Sequence, residues 1–312
     1  MKELFGSIAF LLSMAGFSAS AAPYRPAITG VSHIAVYAAN PAASEYFYEH
    51  DLGGVKGEDP ENRAGVRYYF APTQFVEVLP LPEGSPTINR LDHVAYVTRD
   101  GESMRQYLAS QGIAVPDRVS QGFDYSRWFE VVDPEGHTIE FVQPPPRPPK
   151  VPFNGLSNHI LHIGFIVHNV ALEDNFFVKV LGFRDFWAGG LNPEKPTWIW
   201  REVPEGRDWV EYMVSGAPDG RGIPPDMTAA TAGIMNHYAI GVANVEQAYT
   251  LLSNGGRLRA QRNDPMLPPM LGLSGKWEFS LLDPDGTRTE VMELHTVSTP
   301  CCSPVTAPEP DE

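Results

Sequence analysis

Asp133-Pro134-Glu135-Gly136-His137-Thr138-Ile139-Glu140-Phe141 is the stretch on which the reading of this chain turns. Proline fixes φ, the aspartate side chain bonds nearby backbone amides, and glycine accepts a positive φ, so Asp-Pro-x-Gly is a tight turn. The residues after it read as a strand that carries Glu140. Near the other end, Asp283-Pro284-Asp285-Gly286-Thr287-Arg288-Thr289-Glu290-Val291 repeats turn, strand and carboxylate at the same offset, 290 − 140 = 150 residues away. The spacing predicts an internal duplication.

Working outward, each half divides again, and the order predicted is strand, helix, then several strands. The first pass has a strand at Val31–Tyr37 with His33, a helix over Pro41–Leu52 stopped by Gly53-Gly54, and strands at Arg67–Phe70 and Phe75–Leu79 with Glu77. The second has a strand at Leu91–Val97 with His93, a helix over Glu102–Ser110, and strands at Trp128–Val132 and Thr138–Val142 with Glu140. Pro144-Pro145-Pro146-Arg147-Pro148-Pro149 can be neither helix nor central strand, and marks the boundary between halves. The third pass holds His162 in Leu161–Val167, a helix over Ala171–Leu181, and Glu211 in Trp209–Met213. The fourth holds His237 in Asn236–Val242, a helix over Val245–Leu252, and Glu290 in Thr289–Met292.

A single strand histidine or glutamate usually just finds a hydrogen bond. Here each pass opens with a histidine strand and closes with a glutamate strand, a pattern hard to obtain by chance. Neutral imidazole and carboxylate together suit a divalent ion such as Zn, Fe, Mn or Ni. Pairing adjacent passes predicts one metal set of His33, Glu77, His93 and Glu140, and a second of His162, Glu211, His237 and Glu290.

With these residues in place the chain resembles the vicinal oxygen chelate superfamily, which includes glyoxalase I, extradiol ring-cleaving dioxygenases and bleomycin-resistance proteins. The resemblance covers residues 28–146 and 157–296. It implies an α+β fold of four βαβββ modules, paired into two cupped-sheet domains, each around one divalent ion. It also implies glyoxalase-like isomerase or lyase chemistry on a small oxygenated substrate, with Glu140 and Glu290 as the catalytic carboxylates. Two alternatives come with it. One is an Fe(II) extradiol dioxygenase using His162, His237 and Glu290, although no other histidine lies between His237 and Glu290 to act as its acid-base group. The other is a non-catalytic ligand-binding protein.

Composition bounds the rest. A formal charge of −15 over 312 residues argues against nucleic acid and anionic membranes as partners. Lys2, the apolar run Leu4–Phe17 and Ala19-Ser20-Ala21 predict a signal peptide over residues 1–21, hence a periplasmic or secreted protein with no membrane segment after cleavage. The partner expected is a small-molecule substrate, and the sequence fixes no oligomeric state. Cys301 and Cys302 sit side by side in a polar, Pro-rich tail, residues 297–312, expected to be disordered. Five of the six tryptophans fall in the second half, either as module core or as a ligand wall. Arg257–Lys276 suits an apolar lid, and Arg67, Tyr69 and Arg201 are candidates to point into the cups. His137, His159 and His168 read as structural or surface residues.

Overall fold

In the computed structural model, residues 23–85, 90–216, 223–228, 231–254, 257 and 268–311 are described. The expected signal peptide and half of the expected lid, residues 258–267, lie outside them. Two eight-stranded sheets form the molecule. The first contains β1 (Ile28–Ala38), β2 (Val55–Glu58), β3 (Val66–Ala71), β4 (Gln74–Pro80), β5 (Leu91–Thr98), β6 (Ser120–Gln121), β7 (Arg127–Val132) and β8 (Thr138–Gln143). The second contains β9 (Ile160–Val167), β10 (Arg184–Gly189), β11 (Trp198–Glu202), β12 (Trp209–Val214), β13 (His237–Val242), β14 (Met270–Leu271), β15 (Trp277–Leu282) and β16 (Arg288–Glu293). Their strand orders, β2-β3-β4-β1-β5-β8-β7-β6 and β10-β11-β12-β9-β13-β16-β15-β14, are the same pattern twice. Four βαβββ modules are thus paired into two cupped sheets, as the repeats predict.

Helices follow each opening strand. α1 (Pro41–Glu45) starts at Asn40, whose side chain accepts from the Ala43 amide, and continues as a π-helical turn over Tyr46–Asp51. Its counterpart α3 (Val170–Asp174) starts at Asn169 in the same way and also widens into a π turn, Asn175–Val180. α2 (Gly101–Ser110) is capped by Asp100, and α4 (Val245–Asn254) completes the set. The predicted Pro41–Leu52 helix is therefore two kinds of helix end to end.

Most of the core lies outside the cups and is shared between the halves. Tyr96 of β5 packs edge-on against Phe177 and Phe183 of the second half, with centroids 6.3 and 5.3 Å apart. Removing a ring from such a site costs about 3–5 kcal/mol.

The two Asp-Pro-x-Gly turns do more than close hairpins. Gly136 and Gly286 take φ of 94° and 91°, and Asp133 and Asp283 each accept two backbone amides of their own turn. The variable residue of each turn then reaches across to the other half. Glu135 accepts the amides of His168 and Asn169 at the start of α3, and Asp285 accepts the amide of Ala39 just before α1. Tyr48 adds a hydroxyl bond of 2.8 Å to Asp283.

The expectation of a disordered tail does not survive. Residues 297–311 run against the second sheet: Trp187 Nε1 donates to the Cys301 carbonyl at 2.9 Å, and the Thr306 amide donates to Phe186. Buried Lys276 bonds Leu294 O at 2.6 Å and Glu309 at 2.5 Å. Val305 and Ala307 pack on a cluster of Trp187, Trp200 and Trp209. Cys301 and Cys302 are joined as a vicinal disulfide. Composition gave no sign of this, because the partners are distant side chains.

Candidate metal centres

Strand register builds each cup. In the first sheet, Ala35 pairs with both Glu77 and His93, while Ala95 pairs with both His33 and Glu140. The rows Glu77–Ala35–His93 and His33–Ala95–Glu140 therefore lie side by side, each with a small residue at its middle. The second sheet repeats this with Glu211–Gly164–His237 and His162–Ala239–Glu290. A bulky residue at any of these four centres would fill the space between ligands.

All eight expected ligands are buried and converge in two groups. In the first, His33 Nε2 and His93 Nε2 are 2.9 Å apart, and carboxylate oxygens of Glu77 and Glu140 lie 3.6–3.9 Å from them. In the second, His162 Nε2 and His237 Nε2 are 3.1 Å apart, and oxygens of Glu211 and Glu290 lie 3.0–3.9 Å away. Tetrahedral ligands bonded at about 2.0–2.1 Å stand about 3.3 Å apart, so the spacings match an ion-sized gap.

Hydrogen bonding supports the same fit. His237 Nδ1 is 2.9 Å from the Met235 carbonyl, which only accepts, so that nitrogen carries the proton. His93 Nδ1 lies 2.8 Å from Asp92 Oδ2, with the same consequence. In neutral rings both Nε2 atoms then present lone pairs toward carboxylate oxygens. Neither oxygen of Glu140 has a hydrogen-bond partner among the described residues, nor does Glu77 Oε1. Inward-facing acceptors left over in a buried site are the arrangement a cation resolves.

The carboxylates differ electrostatically. Burial raises the pKa of Glu140, and the neighbouring Glu61 carboxylate raises it further. Burial likewise lifts Glu77, against the opposing charge of Arg67. In the second cup burial acts the same way, but His162, Arg288 and His237 together outweigh it and bring Glu290 down to about 2. Burial also opposes ionisation of Glu211, yet His237 and His162 beside it together hold it below the usual range. Both His33 and His237 are lowered mainly by burial, with His93 and Arg288 as the next contributions.

Other predicted residues sort clearly. Arg67 enters the first cup, and Tyr69 packs on Phe75. Arg201 does not enter the second: it lies on the opposite strand face, bonded to Asp174 and Asp185. Alternation along β11 turns Trp200 inward in its place. Trp200 and Trp209 surround His162, and Trp200 Nε1 donates to Glu211 at 2.8 Å. His137 is bonded to Asp133, His159 to Asp208 and His168 to Glu135, away from both cups. Sequence reading missed three groups beside the first cup. Asp92 holds His93 and takes the Tyr37 hydroxyl; its position next to a ligand histidine was a usable signal. Glu61 and Asp59 reach in from a polar loop, with no local signal.

The profile of the Glyoxalase/Bleomycin resistance protein/Dioxygenase superfamily matches residues 159–291. No curated protein matches the chain. Among solved structures, a variant of homoprotocatechuate 2,3-dioxygenase from B. fuscum superposes with a TM-score of 0.65 at 18% identity, covering 88% of this chain and 73% of that one. A Mn(II)-bound glyoxalase from Novosphingobium aromaticivorans gives a TM-score of 0.62 at 18% identity, covering 86% and 83%. Residues 159–291 match that superfamily, and the four modules paired into two cupped sheets have the fold of a two-domain vicinal oxygen chelate protein.

Proposed function

We propose that this protein is a metal-dependent isomerase or lyase that moves a proton on a carbon next to a carbonyl in a small oxygenated substrate. One observation carries the reading: each cup pairs two imidazoles with two carboxylates, and one carboxylate is tied while the other is not. Glu77 is held toward Arg67 and Glu211 by Trp200. Glu140 makes no hydrogen bond among the described residues, and the ion-pair contacts of Glu290 are to the ligand histidines His162 and His237. A divalent ion held by His33, His93 and Glu77, or by His162, His237 and Glu211, would supply Lewis-acid stabilisation of oxyanion charge. Glu140 and Glu290 take the proton from carbon and return it to the neighbouring atom, so no oxidant enters the balance.

The test is hydrogen–deuterium exchange at the carbon next to the carbonyl of hydroxyacetone, followed by NMR with metal-loaded protein under nitrogen. Glu140→Gln with Glu290→Gln should slow exchange about 10²–10⁴-fold. A second reading, an Fe(II) ring-cleaving dioxygenase in the second cup, is favoured by His162, His237 and Glu290 lying within 4.8 Å of one another while Glu211 is engaged by Trp200. It predicts oxygen uptake with a catechol, abolished by His237→Ala. Uptake without proton exchange would overturn the first reading. On residues 1–21 we further infer export, which N-terminal sequencing of the mature protein tests.

A further inference from the structure

The cups share their ligands but not the position beside them. In the first sheet Arg67 pairs across from Glu77, and in the second Trp200 pairs across from Glu211. Phe75 and Trp209 are likewise equivalent, opposite His33 and His162. Arg67 is 3% exposed, with its guanidinium carbon 4.2 Å above the Phe75 ring and Nη2 3.5 Å from Glu77 Oε1. Its Nε–H is buried without a hydrogen-bond partner among the described residues.

Burying a guanidinium costs several kcal/mol unless it is paired. Glu211, the counterpart of Glu77, is held by an indole rather than by a guanidinium at this position. What pairs Arg67 is the loop between β2 and β3: Glu61 bonds Nη2, and Asp59 lies 3.3 Å from it. The same Nη2 faces both Glu61 and the ligand Glu77, so a carboxylate of the chain already occupies the guanidinium beside the metal ligands. The same loop forms one wall of a cavity of about 680 Å³, lined by Gly57, Asp59, Gly65, Val66 and Phe123.

We propose that the first cup takes a small carboxylate bearing an adjacent oxygen, such as a 2-oxo acid. Its carboxylate replaces Glu61 on Arg67, and its second oxygen faces the ion. Glu61 is the placeholder that keeps Arg67 paired when no ligand is bound. The second cup has Trp200 at the position of Arg67, and its guanidinium, Arg288, comes instead from β16, two residues before Glu290. This rests on the metal reading above, and the experiment separates the two.

Full-length protein is loaded with Mn²⁺ and titrated with pyruvate or with uncharged pyruvamide, reading water-proton relaxation. His93→Ala and His237→Ala first assign the ion count to each cup. Pyruvate should bind at the His93-dependent ion, and pyruvamide about tenfold or more weakly. Glu61→Gln should tighten pyruvate about tenfold and leave pyruvamide unchanged, while Arg67→Gln should weaken pyruvate by a similar factor. The two variants move in opposite directions, so misfolding of one cannot imitate the result. No His93-dependent ion would sink the metal reading and this proposal with it. An ion present, with pyruvate and pyruvamide equal or Glu61→Gln without effect, would overturn this proposal alone.

Discussion

Gly164→Ala tests the geometry of the second cup directly. A Cβ at this position would stand 2.1 Å from His237 Cε1 and 2.7 Å from its Nδ1 and Nε2. Ordinary contact needs about 3.4 Å, so the ring must retreat by roughly 1.3 Å or the strand must shift. The ring has little freedom to do so, because Nδ1 is bonded to Met235 O and the residue is wholly buried. Metal sites tolerate ligand displacements of only about 0.2 Å, so a shift of that size removes His237 from coordination. Overpacking should also cost about 1–3 kcal/mol of stability. The assay is metal stoichiometry by plasma mass spectrometry together with thermal melting. The expected outcome is loss of the His237-dependent ion with the His93-dependent ion retained. The first cup already carries alanine at the equivalent Ala35, with His93 held from Asp92 instead. A Gly164→Ala protein that keeps both ions would refute the ligand geometry argued for the second cup.

Three further outcomes follow from named contacts. Burial pushes Asp283 up to about 6 from 3.8, so its contribution to stability is full below about pH 4 and is lost as pH rises through 6, a difference worth roughly 3 kcal/mol. Asp283→Asn keeps an oxygen for the Asp285 and Thr287 amides, and its melting temperature should change less between pH 5 and 7.5 than that of the parent; an unchanged pH slope would exclude the aspartate as its source. Glu309→Ala leaves the buried Lys276 ammonium with Leu294 O as its one remaining bond among those described, and urea melts should show a loss of about 2–4 kcal/mol. Glu135→Ala removes the acceptor for the His168 and Asn169 amides at the start of α3 and should cost about 1–2 kcal/mol in the same assay, although Glu135 lies in the other half of the molecule.

Local pattern carried the module order and the eight ligands because both are written in short-range periodicity. A strand histidine two residues from a small residue, or a glutamate a fixed step after Asp-Pro-x-Gly, can be read without knowing the fold. Trp198 and Trp200 were likewise placed on one face by alternation alone. Arg201 was misjudged because its facing depends on which edge of β11 meets the cup, which only sheet pairing decides. Glu61 sits in a run of charged residues that reads as solvated loop, and its role exists only through Arg67. The tail was lost for the same reason: Pro, Ser and acidic residues look unfolded until Lys276 and the tryptophans offer a surface. The widening of both helices into π turns left no mark that hydrophobic spacing could reveal.

The crossed turns have a consequence for how this molecule unfolds and how it could change over generations. Each half supplies a carboxylate that holds the backbone at the start of the other half's first helix, and the aromatic core is common property. Heating should therefore give one cooperative transition rather than two, and either half expressed alone should lose that support for its leading helix. A duplicated gene is usually free to let one copy decay once the other suffices. Here that route is closed by mechanics: a cup whose chemistry became redundant would still have to be kept as scaffold, leaving residues such as Arg67 and Trp200 as the positions free to diverge.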